Sequence, residues 1–403
     1  MSRRLGDPLR LWPELTGEVA ELVSRVDRFI HDTVIPAELP GDEVPGDDVR
    51  QRLRQAARDA GIFGPQVSHE YGGLGLTWAQ CVPVFEAAGY SLLGPAALNC
   101  AAPDEGNIHL LAKVANPEQA ERYLAPLARG QVRSAFAMTE PAPGAGSDPR
   151  ALRTVARRDG DDWVIDGHKW FTTGARGAAF AICMARTSGE PGQRGGATMF
   201  LVDADNPGMR VVRDLDTIDH SFAGGHGEVI FDGCRVSDAA VLGAVDEGFR
   251  YAQVRLEPAR LTHCMRWLGI ARRAHDIALQ WCEERSLFGS RLGELGLAQQ
   301  LIADSEIDLT TARALVYQSA RRLDLVGSAG KEVSITKTFV AEAVCRVVDR
   351  AIQLCGGRGV SRELPLERFW REVRPLRIYD GPSEVHRWSI ARLALRERRE
   401  ARP

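Results

Sequence analysis

Ser134-Ala-Phe-Ala-Met-Thr-Glu-Pro-Ala-Pro-Gly-Ala-Gly-Ser147-Asp148 is the stretch on which the reading of this chain turns. A short apolar, strand-like run delivers Thr139-Glu-Pro into a turn. Gly144-Ala-Gly-Ser147 then leaves little side-chain bulk between the main chain and whatever lies on it. Such a segment lets backbone N–H groups approach a flat or anionic ligand. Taken alone it reads first as a surface loop between two strands. The flanking segments decide between these readings.

Before this stretch, residues up to about 130 read as helical. Val19 to Ile30 carries apolar residues at helical spacing, and Val49 to Ala60 is an Arg-rich amphipathic run ending at Gly61. Thr77 to Ala88 and Pro117 to Ala128 are further helix candidates, with the Gly-rich loop His69-Glu-Tyr-Gly-Gly-Leu-Gly-Leu76 among them. After it the pattern becomes short and apolar or alternating over 134–138, 151–157, 162–165, 179–185, 198–203, 209–213 and 227–236. Turn residues separate these runs, which predicts a small β-barrel or sandwich.

Past Gly248 the helical period returns over Phe249 to Arg285, Ala298 to Leu325, Lys331 to Leu354 and Glu384 to Arg396. Long amphipathic helices with short connections predict an antiparallel four-helix bundle. The expectation is therefore an α+β chain, mainly α. An all-α part covers 1–133, a β part 134–242 and a helical bundle 243–403. No strand-led Gly-x-Gly-x-x-Gly occurs, so a Rossmann cofactor site is not expected.

Composition narrows the function. A net charge of −3 gives no reason to expect binding to a nucleic-acid backbone. The cations are nearly all Arg, with Lys only at 113, 169, 331 and 337. No apolar stretch reaches membrane-span length, and Met1 to Leu15 lacks a continuous apolar run, so neither membrane insertion nor secretion is expected. The eight Cys form no Cys-x-x-Cys pair, which argues against a zinc site and for thiols in a reducing cytoplasm.

Four more segments bear on chemistry. Gly167-His-Lys-Trp-Phe171-Thr172-Thr173-Gly174 places aromatics and hydroxyls together; its plain reading is a hairpin with core aromatics. Glu284-Arg285-Ser-Leu-Phe288-Gly289 ends a long helix; the Arg fork suits a diphosphate, and a solvated Arg beside a core Phe is the plain alternative. Gln353-Leu-Cys-Gly-Gly357-Arg-Gly359 also reads as a helix C-cap. Arg377-Ile-Tyr379-Asp380-Gly381-Pro-Ser-Glu384 contains an Asp-Gly turn signal that also offers a carboxylate.

Together the five segments resemble, in order and spacing, the signature stretches of the flavin-dependent acyl-CoA dehydrogenase family. Those read Thr-Glu-Pro-Gly-Ala-Gly-Ser-Asp, Lys-x-Trp-Ile-Thr-Asn-Gly, Arg-x-x-Phe-Gly, Gln-x-x-Gly-Gly-x-Gly and Ile-Tyr-Glu-Gly-Thr. The resemblance spans nearly the whole chain and implies bound FAD. It implies that Phe136, Met138, Thr139, Gly146, Ser147, Phe171 and Thr173 surround the flavin, with the Thr173 hydroxyl near N5. Arg285 would bind the pyrophosphate across a dimer interface, with Phe288 near the adenine. Gln353, Gly356, Gly357, Pro382 and Glu384 would complete the cofactor site.

Asp380 falls at the position of the base that takes the substrate α-proton, and Ser147, Glu257, Arg260 and Gly381 would meet the substrate. No metal is implied. Electron-transfer flavoprotein as acceptor, a homodimer or homotetramer, and a place in fatty acid metabolism follow from the same resemblance.

The chain departs from the pattern twice. Two residues are inserted after Thr139-Glu-Pro141, and the base is Asp where the family has Glu. Some members place a Glu on the bundle's first helix instead; that position is Ala259 here, which makes Glu257 the reserve candidate. One subgroup, in animals fused behind a phosphotransferase-like domain, is similar in Asn99-Cys-Ala-Ala-Pro-Asp-Glu-Gly-Asn107, Gly224-Gly-His226, His263-Cys-Met-Arg266 and Asp380-Gly-Pro-Ser-Glu-Val-His386, and also carries Asp. A flavin oxidase on the same scaffold, as in nitroalkane oxidases with an Asp base, is the first alternative. A non-catalytic subunit of a heteromeric dehydrogenase is the second. His220 and His226 beside Asp216 and Asp219 read as a solvated loop or as a reader of a polar substrate group.

Overall fold

The computed structural model describes residues 17–401 other than 42, 44 and 194, so the N-terminal stretch weighed for secretion lies outside the described residues. The chain forms two compact units, one built on a sheet and one helical.

The sheet unit comprises residues 67–73 and 101–259. Helices α5 (Asp104–Val114), α6 (Pro117–Gln119) and α7 (Ala125–Ala128) belong to it, as do eight strands: β1 (Ser134–Ala137), β2 (Val155–Asp159), β3 (Asp162–Thr173), β4 (Phe180–Arg186), β5 (Ala197–Asp203), β6 (Met209–Asp214), β7 (His226–Ser237) and β8 (Val241–Leu242). Their order is β6-β7-β3-β2-β4-β5-β8, with β1 added parallel to β4. Every residue of β4 is buried, so alternation of apolar and polar residues vanishes there. Phe180, Ile182 and Met184 share one apolar cluster with Leu110, Leu111 and Leu127, while Ala181, Cys183 and Ala185 share another with Trp163, Ile165 and Phe231.

The β3–β7 pairing sets up the site. Lys169 pairs with Val229 and Thr172 with Gly227, so β3 spends one extra residue over this interval. A bulge of this kind bends a strand and re-aims its side chains. It falls on Trp170 and Phe171, and Phe171 takes φ +48°. The third strand expected, 162–165, therefore extends through Thr173, and the run expected from 151 begins pairing only at Val155, after a 3-10 turn at Pro149–Ala151.

The helical unit comprises residues 17–66, 74–100 and 260–401 of the described chain. It holds α1 (Gly17–Phe29), which runs on as a π-helical turn through Val34, then α2 (Asp47–Asp59), α3 (Trp78–Ala88) and α4 (Gly94–Ala97). The long helix α8 (Gly248–Glu284) begins in the sheet unit and continues into this one, followed by α9 (Gly296–Val326), α10 (Gly330–Cys355), α11 (Leu366–Val373) and α12 (Ser383–Glu400). Helix α10 packs on α9, α11 and α12, and α3 on α1 and α9. Charge fixes these packings as well as apolar burial. Glu86 of α3, 3% exposed, takes a two-point contact from Arg313 of α9, and Asp324 of α9 accepts from the Trp78 and Ala79 amides at the start of α3. No described helix is long and apolar enough to cross a membrane.

Candidate functional site

In the sheet unit the opening stretch is organised by its own Glu140. That carboxylate, 4% exposed, accepts hydrogen bonds from the amides of Ala145 (3.1 Å), Arg153 (2.8 Å) and Thr154 (2.8 Å) and from Lys169 Nζ (2.9 Å). Burial alone would raise its pKa; Lys169 and the Thr154 donors outweigh burial and hold it below the usual carboxylate range. Lys169, fully buried, also donates to the Met138 carbonyl oxygen (3.0 Å), and the Trp170 amide donates to that of Thr139 (3.0 Å). The first two sequence segments are thereby held side by side. Gly146 has nothing within 4 Å of where a Cβ would stand, and Ser147 beside it is exposed. Phe171, 47% exposed, stands on the strained bulge, and Phe136 carries the Arg255 guanidinium 4.1 Å from its ring centroid.

Thr173 does more than the sequence suggests. His226 Nε2 lies 3.1 Å from Asp219 Oδ2, and its Nδ1 lies 2.9 Å from Thr173 Oγ1. Asp219 and His226 are 5% and 8% exposed, so the solvated-loop reading fails for this pair. Burial opposes ionisation of Asp219, but His226 and Thr217 more than offset it and leave its pKa lowered. Asp219 is the acceptor at Nε2, so that nitrogen carries a proton, and Nδ1 faces the Thr173 hydroxyl. Asp216 is exposed and takes no part, and His220 is half-buried.

In the helical unit Asp380 sits between the 3-10 turn Arg374–Arg377 and α12 with φ +53°, followed by Gly381 at φ +102°. Only glycine adopts the second angle without strain, and a Cβ on Gly381 would stand 2.7 Å from His386 Nε2. Cations and a neutral imidazole clamp this bend through its carbonyls. Arg260 Nε donates to the Asp380 carbonyl oxygen (2.8 Å), as does His386 Nε2 (3.2 Å). Fully buried Lys337 donates to the carbonyl oxygens of Leu376, Tyr379 (2.8 Å) and Gly381 (3.0 Å). Burial lowers the Lys337 pKa to about 8; burial, then Arg260 and Lys337, lowers that of His386 to about 4.

The carboxylate itself is held lightly. Asp380 Oδ2 is buried with no hydrogen bond, and His263 Nε2 stands 3.4 Å away. The side chains are 18% and 8% exposed respectively. A buried carboxylate oxygen left without a donor is an expensive arrangement for structure and a useful one for proton transfer.

The remaining expected residues belong to the helical unit as well. Strands β9 (Ser286–Leu287) and β10 (Ser290–Arg291) form a hairpin closed by Phe288 (φ +52°) and Gly289 (φ +80°), a type I′ geometry. It leaves Phe288 92% exposed beside exposed Arg285. Gln353, Gly356 and Gly357 close α10, and neither Gly has an atom within 4 Å of a Cβ position. Pro382 precedes α12 and exposed Glu384 lies in its first turn. The chain thus offers bare backbone with open space, uncovered aromatics, hydroxyls and an exposed Arg, a set that fits a flat cofactor bearing phosphates. Among the described residues no group of three or more His, Cys, Asp or Glu is placed to hold a metal ion.

The structure brings Arg260, Asp380 and Gly381 together, but Arg260 meets the Asp380 backbone. Glu257, the reserve base, is half-buried on α8. Sequence reasoning missed Lys169, Lys337, His263, His386 and Glu140 as site builders. One signal existed for two of them. In a chain whose cations are nearly all Arg, four Lys stand out, and two of these are fully buried.

Models of the acyl-CoA dehydrogenase N-terminal, middle and C-terminal domains match residues 16–131, 135–234 and 246–395. The chain is 38% identical to a probable acyl-CoA dehydrogenase FadE2 of Mycobacterium tuberculosis, over 94% of this chain and 96% of that protein. It is 37% identical to acyl-CoA dehydrogenase family member 11 of Gallus gallus over 86% of this chain, and spans 45% of that longer relative. Butyryl-CoA dehydrogenase from Megasphaera elsdenii superimposes with a TM-score of 0.85 at 25% identity, over 94% of this chain and 99% of that one.

Proposed function

This chain belongs to the acyl-CoA dehydrogenase family, and we propose that it converts an acyl-CoA thioester to the 2-enoyl-CoA with Asp380 as the base for the α-proton and FAD as its cofactor. The observation that carries the reading is the Asp380 bend: a carboxylate with a buried, hydrogen-bond-free oxygen on a backbone held at φ +53° by Arg260, His386 and Lys337. A conformation this costly persists only where surrounding contacts over-determine it, which is typical of reacting groups.

FAD, when bound, supplies the acceptor for the β-hydride. Phe136, Met138, Thr139, Gly146, Ser147, Phe171 and Thr173 would hold its flavin end. Arg285, Phe288, Gln353, Gly356, Gly357, Pro382 and Glu384 would hold the dinucleotide end, Arg285 and Phe288 from a second copy of the chain. Exposure of Phe288 supports that assignment, because a bare aromatic at a hairpin tip needs a cover. Ser147, Glu257 and Gly381 would meet the substrate, while Arg260 serves mainly to fix the base. Asp380 takes the proton as the thioester carbonyl gains enolate character, and backbone donors stabilise that charge.

The reading includes a homodimer or homotetramer and electron-transfer flavoprotein as acceptor. It includes a cytoplasmic setting in fatty acid metabolism. It also includes functional boundaries near 133 and 242. The test is product analysis: purified protein, a panel of acyl-CoA thioesters and an artificial electron acceptor without oxygen. Loss of two hydrogens from one thioester class supports the reading. Turnover only with oxygen, or none with any thioester, contradicts it.

A further inference from the structure

A shorter base needs help to aim, and α8 carries the means. His263 presents Nε2 to Asp380 Oδ2 at 3.4 Å, while its other nitrogen faces Arg266 Nη2 at 3.1 Å. Arginine has no acceptor, so Arg266 donates and Nδ1 accepts. The remaining ring proton is thereby fixed on Nε2, on the side of the carboxylate. Arg266 is itself anchored, its Nη1 donating to the Cys100 carbonyl oxygen (2.8 Å), and it is 6% exposed. The imidazole is also packed against Tyr379, ring centroids 4.7 Å apart, and the Tyr379 hydroxyl accepts from Trp267.

We propose that Arg266 and His263 are positioning residues for Asp380: the Arg sets the His tautomer, and Nε2–H orients Oδ2 so that Oδ1 takes the α-proton. This deepens the proposed function and rests on Asp380 being the base. A separation of 3.4 Å is long for a hydrogen bond to a carboxylate, and such contacts commonly tighten once substrate is bound. In the step itself the Cα–H bond breaks, its electron pair moves into the enolate system, and an O–H bond forms at Asp380. His263 gives up no proton in this step. Other polar and charged groups face this pair from every element around it. Arg260 and Cys264 lie on α8, Lys337 and Glu342 on α10, His386 on α12, and Tyr379 on the bend.

The test separates proton abstraction from the rest of the reaction. Phenylacetyl-CoA has an acidic α-CH2 and no β-hydrogen to lose, so exchange of its α-protons in D2O reads the base alone. The holoenzyme should catalyse exchange and Asp380→Asn should not. His263→Leu should slow exchange about 10- to 100-fold, as expected for a misaimed base, with little change in KM. His263→Gln, whose amide can still donate, should recover most of the rate. Exchange by His263→Leu at the wild-type rate, with Asp380→Asn inactive, would overturn the positioning role and leave the base intact. No exchange by the wild-type protein, or undiminished exchange by Asp380→Asn, would overturn the base and this inference with it. Should His263→Leu fail to fold, nitrogen-15 NMR of the wild-type imidazole decides: the Nε2–H tautomer is expected, and Nδ1–H contradicts the relay.

Discussion

Phe171, Phe288 and Asp380 all hold φ near +50°, a region that costs a residue with a side chain roughly 1–3 kcal/mol. Each falls in a segment that the sequence marks as a candidate for function. At Asp380 the cost is met by hydrogen bonds to backbone carbonyls. Gly381→Ala should therefore misplace the Asp380 carboxylate: its Cβ would stand 2.7 Å from His386 Nε2 at φ +102°. Urea unfolding should show a loss of about 1–3 kcal/mol. The clamp also has a pH signature. His386 stays neutral down to about 4 in the fold, whereas an unfolded His takes its proton near 6.5. Between those values the unfolded chain binds more protons, so acidification favours unfolding, by about 2 kcal/mol at pH 5 relative to pH 7 for this one group. His386→Gln should flatten that dependence in paired urea titrations at the two pH values. Motif register in the sequence singles out Asp380. The contacts of Lys337 and His263 at that bend were not legible, because they join a turn to residues distant in sequence.

At the scale of elements, Glu140 shows how a loop of small residues becomes a rigid cradle. One carboxylate gathers three amides and Lys169, joining the turn after β1 to β3. Glu140→Gln leaves Lys169 buried without its counter-charge and should cost about 3–5 kcal/mol, measured by denaturant unfolding. The helices of the bundle were readable because their apolar stripes run over many turns. Helix α5 was not, since it buries Asp104, Glu105 and Asn107 and so breaks the apolar period. These polar groups are satisfied internally: the Asn107 amide donates to Ser134 Oγ, and Asp104 accepts from the Ser134 amide and hydroxyl. The length of β3 was likewise hidden, because the bulge at Trp170 and Phe171 shifts alternation partway along the strand.

For the whole molecule, Phe288 at 92% exposure next to exposed Arg285 is surface that the single chain does not use. Phe288→Ala and Arg285→Ala should leave unfolding stability within about 0.5 kcal/mol, as for other exposed positions, yet lower the FAD retained through gel filtration. Unchanged retention would remove both residues from the cofactor site. The layout of helices, sheet and bundle was legible from the change of hydrophobic period along the chain. The assignment of α5–α7 to the sheet unit was not, because it depends on which apolar faces meet. The most direct test of the account is an anaerobic absorbance spectrum of the purified protein, wild type and Asp380→Asn, recorded as acyl-CoA thioesters are added. The account predicts about one FAD per chain, bleached by one class of thioester in the wild type and not in the variant. Bleaching that survives in Asp380→Asn, or FAD that no thioester bleaches, would contradict it.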